Sequence, residues 1–220
     1  MGVASGGKLR QVSGAARYLV PGARHRAEQT IERSRFICTV QRVSSASDAQ
    51  DFLREMNAEF ADATHNCWAY VIGAPGSTDR IGMSDSGEPH GTAGRPMLMV
   101  LQHSGVGDIA AVVTRYYGGT NLGTGGLVKA YGGTVQLALA TMPRVERIDY
   151  AELIVAVGYE SISAVQQLLP RFESTSLGED YGEKASFRLR VPVASVEAMR
   201  DALLDATSGR AEVALRNPSA

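Results

Sequence analysis

The sequence predicts an α+β protein built from two small domains. A chain of 220 residues is long enough for two domains of roughly 100 residues each. Segments with strand periodicity and segments with helix periodicity alternate along the chain, which is typical of mixed folds. Pro143 follows the last helical stripe of the first part. We therefore expect a flexible N-terminal segment over residues 1–17, one domain over residues 18–142 and a second over residues 143–220.

In the first domain, strand-favouring side chains predict two extended segments between Arg24 and Val43, with a bend or bulge at residues 32–35. Ser47 and Gln50 have capping-box spacing, so a helix is expected to begin at Ser47. The rest is predicted as a strand over 65–72, an irregular loop over 73–92, a helix over 92–103, a strand buried on both faces over 109–117, a Gly-rich loop over 118–126 and a helix from residue 127. Two adjacent glycines at 132–133 lie inside that helix, at a cost of about 1 kcal/mol each relative to Ala, which suggests close packing of another backbone or a bend.

The second domain follows the order βαββαβ, which is typical of a ferredoxin-like domain. The predicted elements are a strand over 147–157, a helix over 160–171, strands over 174–181 and 185–192, a helix over 194–207 and a strand over 210–215. Arg188 and Arg190 lie on the strand face opposite Phe187 and Leu189. We interpret them as a solvated strand face, with RNA contact as the alternative, because few aromatic residues accompany them.

Charge, cysteine content and hydropathy exclude several classes of protein. Residues 18–142 carry 10 basic and 11 acidic side chains, and residues 143–220 carry 9 and 12. Nucleic-acid-binding domains are usually strongly basic, so RNA could bind only through a local patch. Cys38 and Cys67 cannot form a disulfide framework, no apolar run approaches the ~20 residues that span a bilayer, and the N-terminus has no apolar signal core. We expect a cytoplasmic protein that has no membrane association.

The segment RYYGGTNLGTGGLVKAY (residues 115–131) is the strongest candidate binding site. A Gly-rich loop between a strand and a helix lets the backbone approach a ligand, and the N–H groups at the helix start favour an anion. Arg115 and Lys129 could add charge. The expected ligand-binding residues in this segment are Arg115, Gly118, Gly119, Thr120, Gly123, Gly125, Gly126 and Lys129. A tight strand–helix connection and a protein-contact surface are the alternatives.

The segment SDSGEPHGTAGRP (residues 84–96) is the second candidate. Asp85, Glu88 and His90 could act as general acids or bases, but the same residue types also form turns and caps. Thr92 and Arg95 are expected to contribute polar contacts to a cleft shared with the first segment. His65 and Cys67 lie two residues apart and face the same side of a strand; a metal site or a catalytic Cys67 is less favoured than a buried structural cysteine. We expect no metal and no cofactor.

Three motifs occur in a fixed order: HNCWAY, SDSGEPHGTAGRP and VVTRYYGGTNLGTGGLVKAY. Together they resemble the YigZ/IMPACT family over residues 18–140, and the βαββαβ tail resembles the second domain of the bacterial members. The resemblance implies a first domain with the fold of the ribosomal-protein domain-2-like group and a second domain similar to a C-terminal domain of elongation factor G. Many relatives have the pattern SDDGEPSGTAGRP, so Asp stands where this chain has Ser86 and Ser where it has His90.

The resemblance also implies a function, because eukaryotic members regulate translation under stress by binding a partner protein. The leading hypothesis is a binding and regulatory protein whose partner is RNA, a ribosome-associated protein or a phosphate-bearing ligand. One alternative is an enzyme that acts on a small phosphorylated or carboxylated substrate, with Asp85 or Glu88 as the base. The other alternative is a scaffold that binds only proteins.

Overall fold

The computed structural model describes residues 17–216, which divide into two compact units on either side of the Glu146–Arg147 bond. The predicted flexible segment lies outside the described residues, except for Arg17, which begins a strand. The first unit contains β1 (Arg17–Pro21), β2 (His25–Ile31), β3 (Ser34–Arg42), α1 (Ala46–Glu59), β4 (His65–Val71), β5 (Ile81–Ser84), α2 (Gly94–Gln102), β6 (Ile109–Tyr116) and α3 (Gly123–Thr141). β7 (Arg144–Ile148) follows, and it forms a separate two-stranded sheet with β1.

The first unit is built on a five-stranded antiparallel sheet in the order β2-β3-β6-β4-β5. Helices α2 and α3 pack on one face of this sheet, where Phe36, Cys67 and Val113 belong to the larger core. Helix α1 packs on the other face, against Ala110 and Val112. β6 is the central strand, and its residues from Ile109 to Arg115 are all buried. The predicted strand with two buried faces is therefore confirmed, because helices cover both sides of the sheet.

The structure corrects the predicted start of the first helix. Ser45, not Ser47, is the N-cap residue: its hydroxyl accepts a hydrogen bond from the Asp48 N–H at 3.0 Å. The Asp48 carboxylate in turn accepts from the Ser44 N–H at 3.0 Å. The Ser45–Asp48 spacing is that of a capping box, but the pair lies two residues earlier than predicted, and the Asp48 carboxylate binds the N–H of the residue before the N-cap.

The structure also corrects two other predictions of local structure. The loop predicted over 73–92 contains β5, an edge strand of four residues that pairs with β4, with Ser84 opposite Trp68. Such a short edge strand carries little periodicity, which is why the sequence did not reveal it. Helix α3 begins at Gly123, inside the predicted Gly-rich loop. Gly132 faces side chains of α2, with Val100 nearest, rather than another backbone.

The second unit contains β8 (Tyr150–Val157), α4 (Ile162–Arg171), β9 (Thr175–Tyr181), β10 (Ala185–Pro192), α5 (Val196–Ala206) and β11 (Glu212–Arg216). Its four strands form an antiparallel sheet in the order β11-β8-β10-β9. This is the strand order of a ferredoxin-like domain, so the α+β class and the predicted βαββαβ topology are both confirmed. Phe187 and Leu189 are buried in the core, whereas Arg188 and Arg190 are exposed, and Arg190 lies over the Tyr150 ring.

The corrected cap can be tested by a pair of serine substitutions. Ser45→Ala should lower the free energy of unfolding by about 1 kcal/mol, because it removes the acceptor of a first-turn N–H. Ser47→Ala, at an exposed position inside α1, should leave it unchanged or raise it slightly, because Ala is the best helix former. Urea unfolding followed by circular dichroism measures both values. A larger loss for Ser47→Ala than for Ser45→Ala would contradict the assignment.

Candidate functional site

The two Gly-rich segments lie at the same end of the five-stranded sheet. β6 ends at Tyr116 and β4 begins at His65, and in this antiparallel pair His65 is opposite Arg115. The segment 85–93 follows β5 and continues along the start of β4, where the Ser86 carbonyl oxygen lies 2.9 Å from Nδ1 of His65. The segment 117–122 leaves directly from the end of β6.

A buried ion pair joins these segments. Arg115 Nη1 donates to Oε1 of Glu88 at 2.6 Å, and the Tyr131 hydroxyl of α3 donates to the same oxygen at 2.7 Å. The side chains of Arg115 and Glu88 are only 6% and 3% exposed, and Tyr131 is fully buried. The pair therefore links the 85–93 segment, β6 and α3 beneath the surface.

A tight turn directs Glu88 into the protein. The Glu88 N–H donates to the Asp85 carbonyl at 3.0 Å, and the two residues between them, Ser86 and Gly87, have φ values of 45° and 89°. Positive φ at both central positions is typical of a type I′ turn. Glycine adopts this conformation easily, whereas Ser86 does so at some cost.

Asp85 organises the remainder of this segment through its carboxylate. Oδ2 accepts from the Gly91 N–H at 2.8 Å, and Oδ1 accepts from the N–H groups of Ala93 and Gly94 at 3.0 and 2.8 Å. Burial opposes ionisation of this carboxyl, but the three backbone hydrogen bonds outweigh it and hold the pKa of Asp85 below its ordinary value. Asp85 therefore fixes the loop and satisfies the start of α2.

Arg115 is surrounded by aromatic and hydroxyl groups on the α2–α3 side of the sheet. Phe36 on β3 is its cross-strand partner, and the guanidinium carbon lies 5.4 Å from the Phe36 ring centroid and 5.3 Å from that of Tyr117. Nη2 donates to the Ser34 hydroxyl at 3.4 Å, a long contact. Among residues 17–216, Nε of Arg115 is the single buried side-chain nitrogen or oxygen without a hydrogen-bond partner.

His65 and Cys67 do lie on the same face, but their chemistry is that of structural groups. The Cys67 thiol donates to the Asp85 carbonyl at 2.9 Å, and burial raises its pKa to about 12, so it stays protonated near neutral pH. His65 Nδ1 faces the Ser86 carbonyl, which can only accept a hydrogen bond, so Nδ1 carries the proton. Burial likewise raises the pKa of Tyr131 and keeps its phenol a donor to Glu88.

The other residues predicted in the 84–96 segment point in different directions. Thr92 is buried, and its hydroxyl donates to the Pro89 carbonyl at 2.7 Å. His90 is fully exposed, with Nδ1 3.8 Å from Oδ2 of Asp85. Arg95 is exposed beside a cavity of ≈ 570 Å³. That cavity is lined by residues Met83, Ser84, Asp85, His90, Gly91, Gly94 and Arg95, so it lies on the α2 side and does not include the 118–126 segment.

The glycines of the 118–126 segment fall into two groups. At Gly118 an added Cβ would collide with the backbone of Arg33 in the β2–β3 turn, so this glycine is required by packing. Gly119 and Gly123 have φ values of 84° and 67°, and an added Cβ there, or at Gly125, would have nothing within 4 Å. The second group therefore faces open space.

The start of α3 is open to solvent. Its N-cap residue, Leu122, makes no side-chain capping bond, and its first turn contains no acidic residue. The Gly123 N–H is satisfied by Asn121, but the following first-turn N–H groups have no partner inside the helix. Gly123 and Gly125 are exposed, Thr120 is half-buried, and a Cβ added at Gly126 would meet the Leu122 side chain at 3.0 Å.

Two exposed cations accompany this helix start. Lys129 lies on the surface of α3, and Arg33 lies in the turn that packs on Gly118. Neither forms an ion pair with any other described residue, whereas Arg115 is neutralised by Glu88. The sequence did not identify Arg33, because its position depends on the β2–β3 turn, in which Glu32 and Arg33 both have positive φ.

Residues 17–216 contain no cluster of three or more His, Cys, Asp or Glu side chains placed to hold a metal ion. None of the helices in the same range is both long enough and apolar enough to cross a membrane.

The fold and the site define a two-domain α+β protein that carries a Gly-rich segment beside a buried ion pair, and comparisons with known proteins agree with the two-domain architecture. A model of the Impact N-terminal domain matches residues 32–139, and a model of a domain of unknown function, DUF1949, matches residues 155–210. The chain belongs to the IMPACT family, which confirms the resemblance stated from the motifs.

Relatives and a solved structure cover nearly the whole chain. IMPACT family member YigZ of Escherichia coli K12 is 40% identical over 192 residues, which are 87% of this chain and 94% of that protein. An IMPACT family member of Haemophilus influenzae is 39% identical over 200 residues, 91% of this chain and 97% of that protein. A crystal structure of a hypothetical protein, 37% identical, superposes with a TM-score of 0.64 and covers 93% of this chain and 100% of that one.

The buried ion pair predicts a large and specific loss of stability. Glu88→Ala should lower the free energy of unfolding by about 3–5 kcal/mol, because it leaves the Arg115 charge buried without its partner. Glu28→Ala removes a partner from the exposed ion pair with Arg35 and should change it by at most about 1 kcal/mol. Denaturant unfolding at neutral pH compares the two. Similar losses at both sites would mean that Glu88 and Arg115 are solvated in solution.

The two groups of glycines predict opposite effects of alanine. Gly118→Ala should be strongly destabilising, because the new methyl group collides with the Arg33 backbone. Gly125→Ala, in the first turn of α3 with open space around it, should be neutral or stabilising by up to about 1 kcal/mol. Thermal unfolding of both variants tests the division. A stable Gly118→Ala variant would show that the β2–β3 turn does not pack closely there.

Proposed function

We propose that this protein is a binding and regulatory protein linked to translation, and that it holds the phosphate groups of RNA at the start of α3. One observation carries the proposal: the first turn of α3 is uncapped, with open space around Gly123 and Gly125, and neither Lys129 in the next turn nor Arg33, which packs on Gly118, forms an ion pair with another described residue. Helix N-termini with free N–H groups favour anions, and nearby cations add to the attraction.

The state of the acid–base candidates supports binding rather than catalysis. Glu88 is held in a buried ion pair, and the Asp85 carboxylate accepts three hydrogen bonds from backbone N–H groups of its own loop and the start of α2. Cys67 is a protonated thiol that donates to a carbonyl. A general base must be within reach of the proton it abstracts, and these groups are already occupied.

The absence of a strong overall basic charge fits a local phosphate contact. At this end of the sheet, few of the described cations lack a carboxylate partner, and Arg33 and Lys129 are among them. We therefore expect contact with few phosphates and an affinity that depends modestly on salt concentration. The link to translation rests on the resemblance to a family whose eukaryotic members regulate translation.

An enzyme that acts on a small phosphorylated or carboxylated substrate is the second candidate. The observation in its favour is the ≈ 570 Å³ cavity, which Asp85, His90 and Arg95 help to line. Such a volume is in the range of small-molecule sites. A thermal-shift screen of phosphorylated and carboxylated metabolites would favour the enzyme if one compound stabilised the protein and His90→Ala abolished the effect.

The proposed function predicts that RNA affinity depends on Arg33 and Lys129. Arg33→Gln and Lys129→Gln should each weaken binding of a single-stranded RNA oligonucleotide about tenfold, the value of one charge-assisted hydrogen bond. Each should also reduce the slope of log K against log salt concentration by roughly 0.7. Fluorescence anisotropy between 50 and 200 mM salt, roughly the range over which phosphate contacts show this dependence, measures both.

Arg42→Gln is the matched control, because Arg42 is an exposed arginine at the opposite end of β3 and has no ion-pair partner among residues 17–216. The control should bind RNA as the unaltered protein does. Equal affinity for all three variants would remove the α3 surface from the function. If the unaltered protein binds no RNA at any salt concentration, the proposal fails and the protein-only scaffold is favoured.

A further inference from the structure

We propose that the Nε–Nη2 edge of the Arg115 guanidinium, together with the Ser34 hydroxyl, binds one oxyanion group of the ligand. The observation that leads to it is Nε of Arg115, the one buried polar side-chain atom without a partner in residues 17–216. The inference deepens the proposed function and rests on it for the location of the ligand. It adds the chemistry that is recognised: two oxygens of a phosphate or a carboxylate.

Arginine offers two edges for a bidentate anion, and one of them is in use here. Nη1 is bound to Glu88 at 2.6 Å, so the Nη1–Nη2 edge is already engaged at one of its two nitrogens. The other edge consists of Nε, without a partner, and Nη2, with only the 3.4 Å contact to Ser34. A guanidinium has five N–H donors in a fixed plane, and parallel N–H donors match two oxygens of a carboxylate or phosphate.

Ser34 adds a donor at the same place. Its hydroxyl oxygen accepts from Arg115 Nη2 and from the Gly118 N–H at 3.2 Å. Because the oxygen accepts from both of these donors, the Ser34 O–H is left to donate. Among the described residues it has no acceptor. Donors therefore outnumber acceptors at this position, which is fully buried at Ser34. Buried donors are normally satisfied, so this excess needs an acceptor.

The site contacts the first residue of the Gly-rich segment 118–126. Gly118 contacts Ser34 through its N–H, and Tyr117, the residue before it, is half-exposed, with its ring centroid 5.3 Å from the guanidinium carbon. The other ring against the guanidinium, Phe36, is completely buried. An oxyanion would therefore approach on the Tyr117 side. Rotation of an exposed side chain takes picoseconds to nanoseconds, so the ring is no lasting barrier.

Glu88 neutralises the Arg115 charge, so the site is not a free cation. It is a neutral ion pair in which the Nε–Nη2 edge of the guanidinium is still available. Glu88 keeps Arg115 in place through Nη1 while Tyr131 holds the same carboxylate oxygen. This arrangement fixes the plane of the guanidinium before any ligand binds. Fixed donors lose little conformational entropy on binding, which favours a single oxyanion group even in a small site.

The direct test observes the Arg115 Nε–H group by NMR in the unaltered 15N-labelled protein. Its side-chain resonance, assigned through bonds from the Arg115 backbone, should shift in a saturable way when inorganic phosphate is added. The Nε–H resonance of Arg42, exposed and at the far end of β3, serves as the control in the same spectrum and should not shift in this way. Separate titrations with acetate and with a short single-stranded RNA identify the source of the oxyanion.

A variant separates the edge from the charge. Arg115→Lys keeps a cation for Glu88 but has no Nε–Nη2 edge, so phosphate affinity should fall at least about tenfold, the effect of losing a charge-assisted hydrogen bond. Arg42→Lys should leave it unchanged. If Arg115→Lys does not fold, the NMR titration of the unaltered protein still decides.

The possible outcomes separate this inference from the proposed function. A shift of Arg115 Nε–H with phosphate or acetate but not with RNA supports the inference and counts against RNA as the ligand. RNA binding that depends on Arg33 and Lys129, without a shift at Arg115, overturns the inference and leaves the function intact. A resonance that no anion moves and that shows only a contact to bound water overturns the inference, because water then satisfies the edge.

Discussion

The buried ion pair between Glu88 and Arg115 is the interaction that holds together one end of the five-stranded sheet, where β6 ends and β4 begins. Both side chains are almost completely removed from water, and each would be costly to bury alone. The Glu88 charge reaches Arg115 only because the Ser86–Gly87 turn directs it inward, and Tyr131 completes its hydrogen bonding from α3. This one pair thus connects an irregular loop, the central strand and the longest described helix. It therefore holds in place the start of the Gly-rich segment 118–126, which follows β6.

That constraint also divides the polar groups of the site into two kinds. Groups that look reactive in the sequence, Asp85, Glu88 and Cys67, are used to hold the loop and the sheet end in place. What remains available to a ligand is backbone N–H groups at the start of α3, the exposed cations beside it and one edge of Arg115. All of these are donors or positive charges. Donors and positive charges of this kind favour oxygen-rich anions, which is the basis of the proposed function.

How much could be predicted from the sequence depends on whether a feature is local or relies on distant residues. The buried strand β6 and the βαββαβ order were predictable, because hydrophobic periodicity is a local property. The edge strand β5 was not, since four residues with alternate exposure give no clear pattern. The inward orientation of Glu88 and the position of Arg33 beside Gly118 depend on contacts between residues 27 and 85 positions apart (88 to 115, 33 to 118). No local signal specifies such pairs.

The glycines of the 118–126 segment show the same limit of local sequence patterns, and they show what the structure contributes. A Gly-rich segment between a strand and a helix is compatible with tight packing or with a ligand, and composition cannot separate the two. The structure separates them residue by residue. Gly118 is explained by the Arg33 backbone, so it needs no ligand. Gly125 has neither a positive φ nor a neighbour within 4 Å, and it weakens the first turn of α3 relative to Ala. Under the proposed function, the missing side chain at Gly125 leaves room for an approaching ligand.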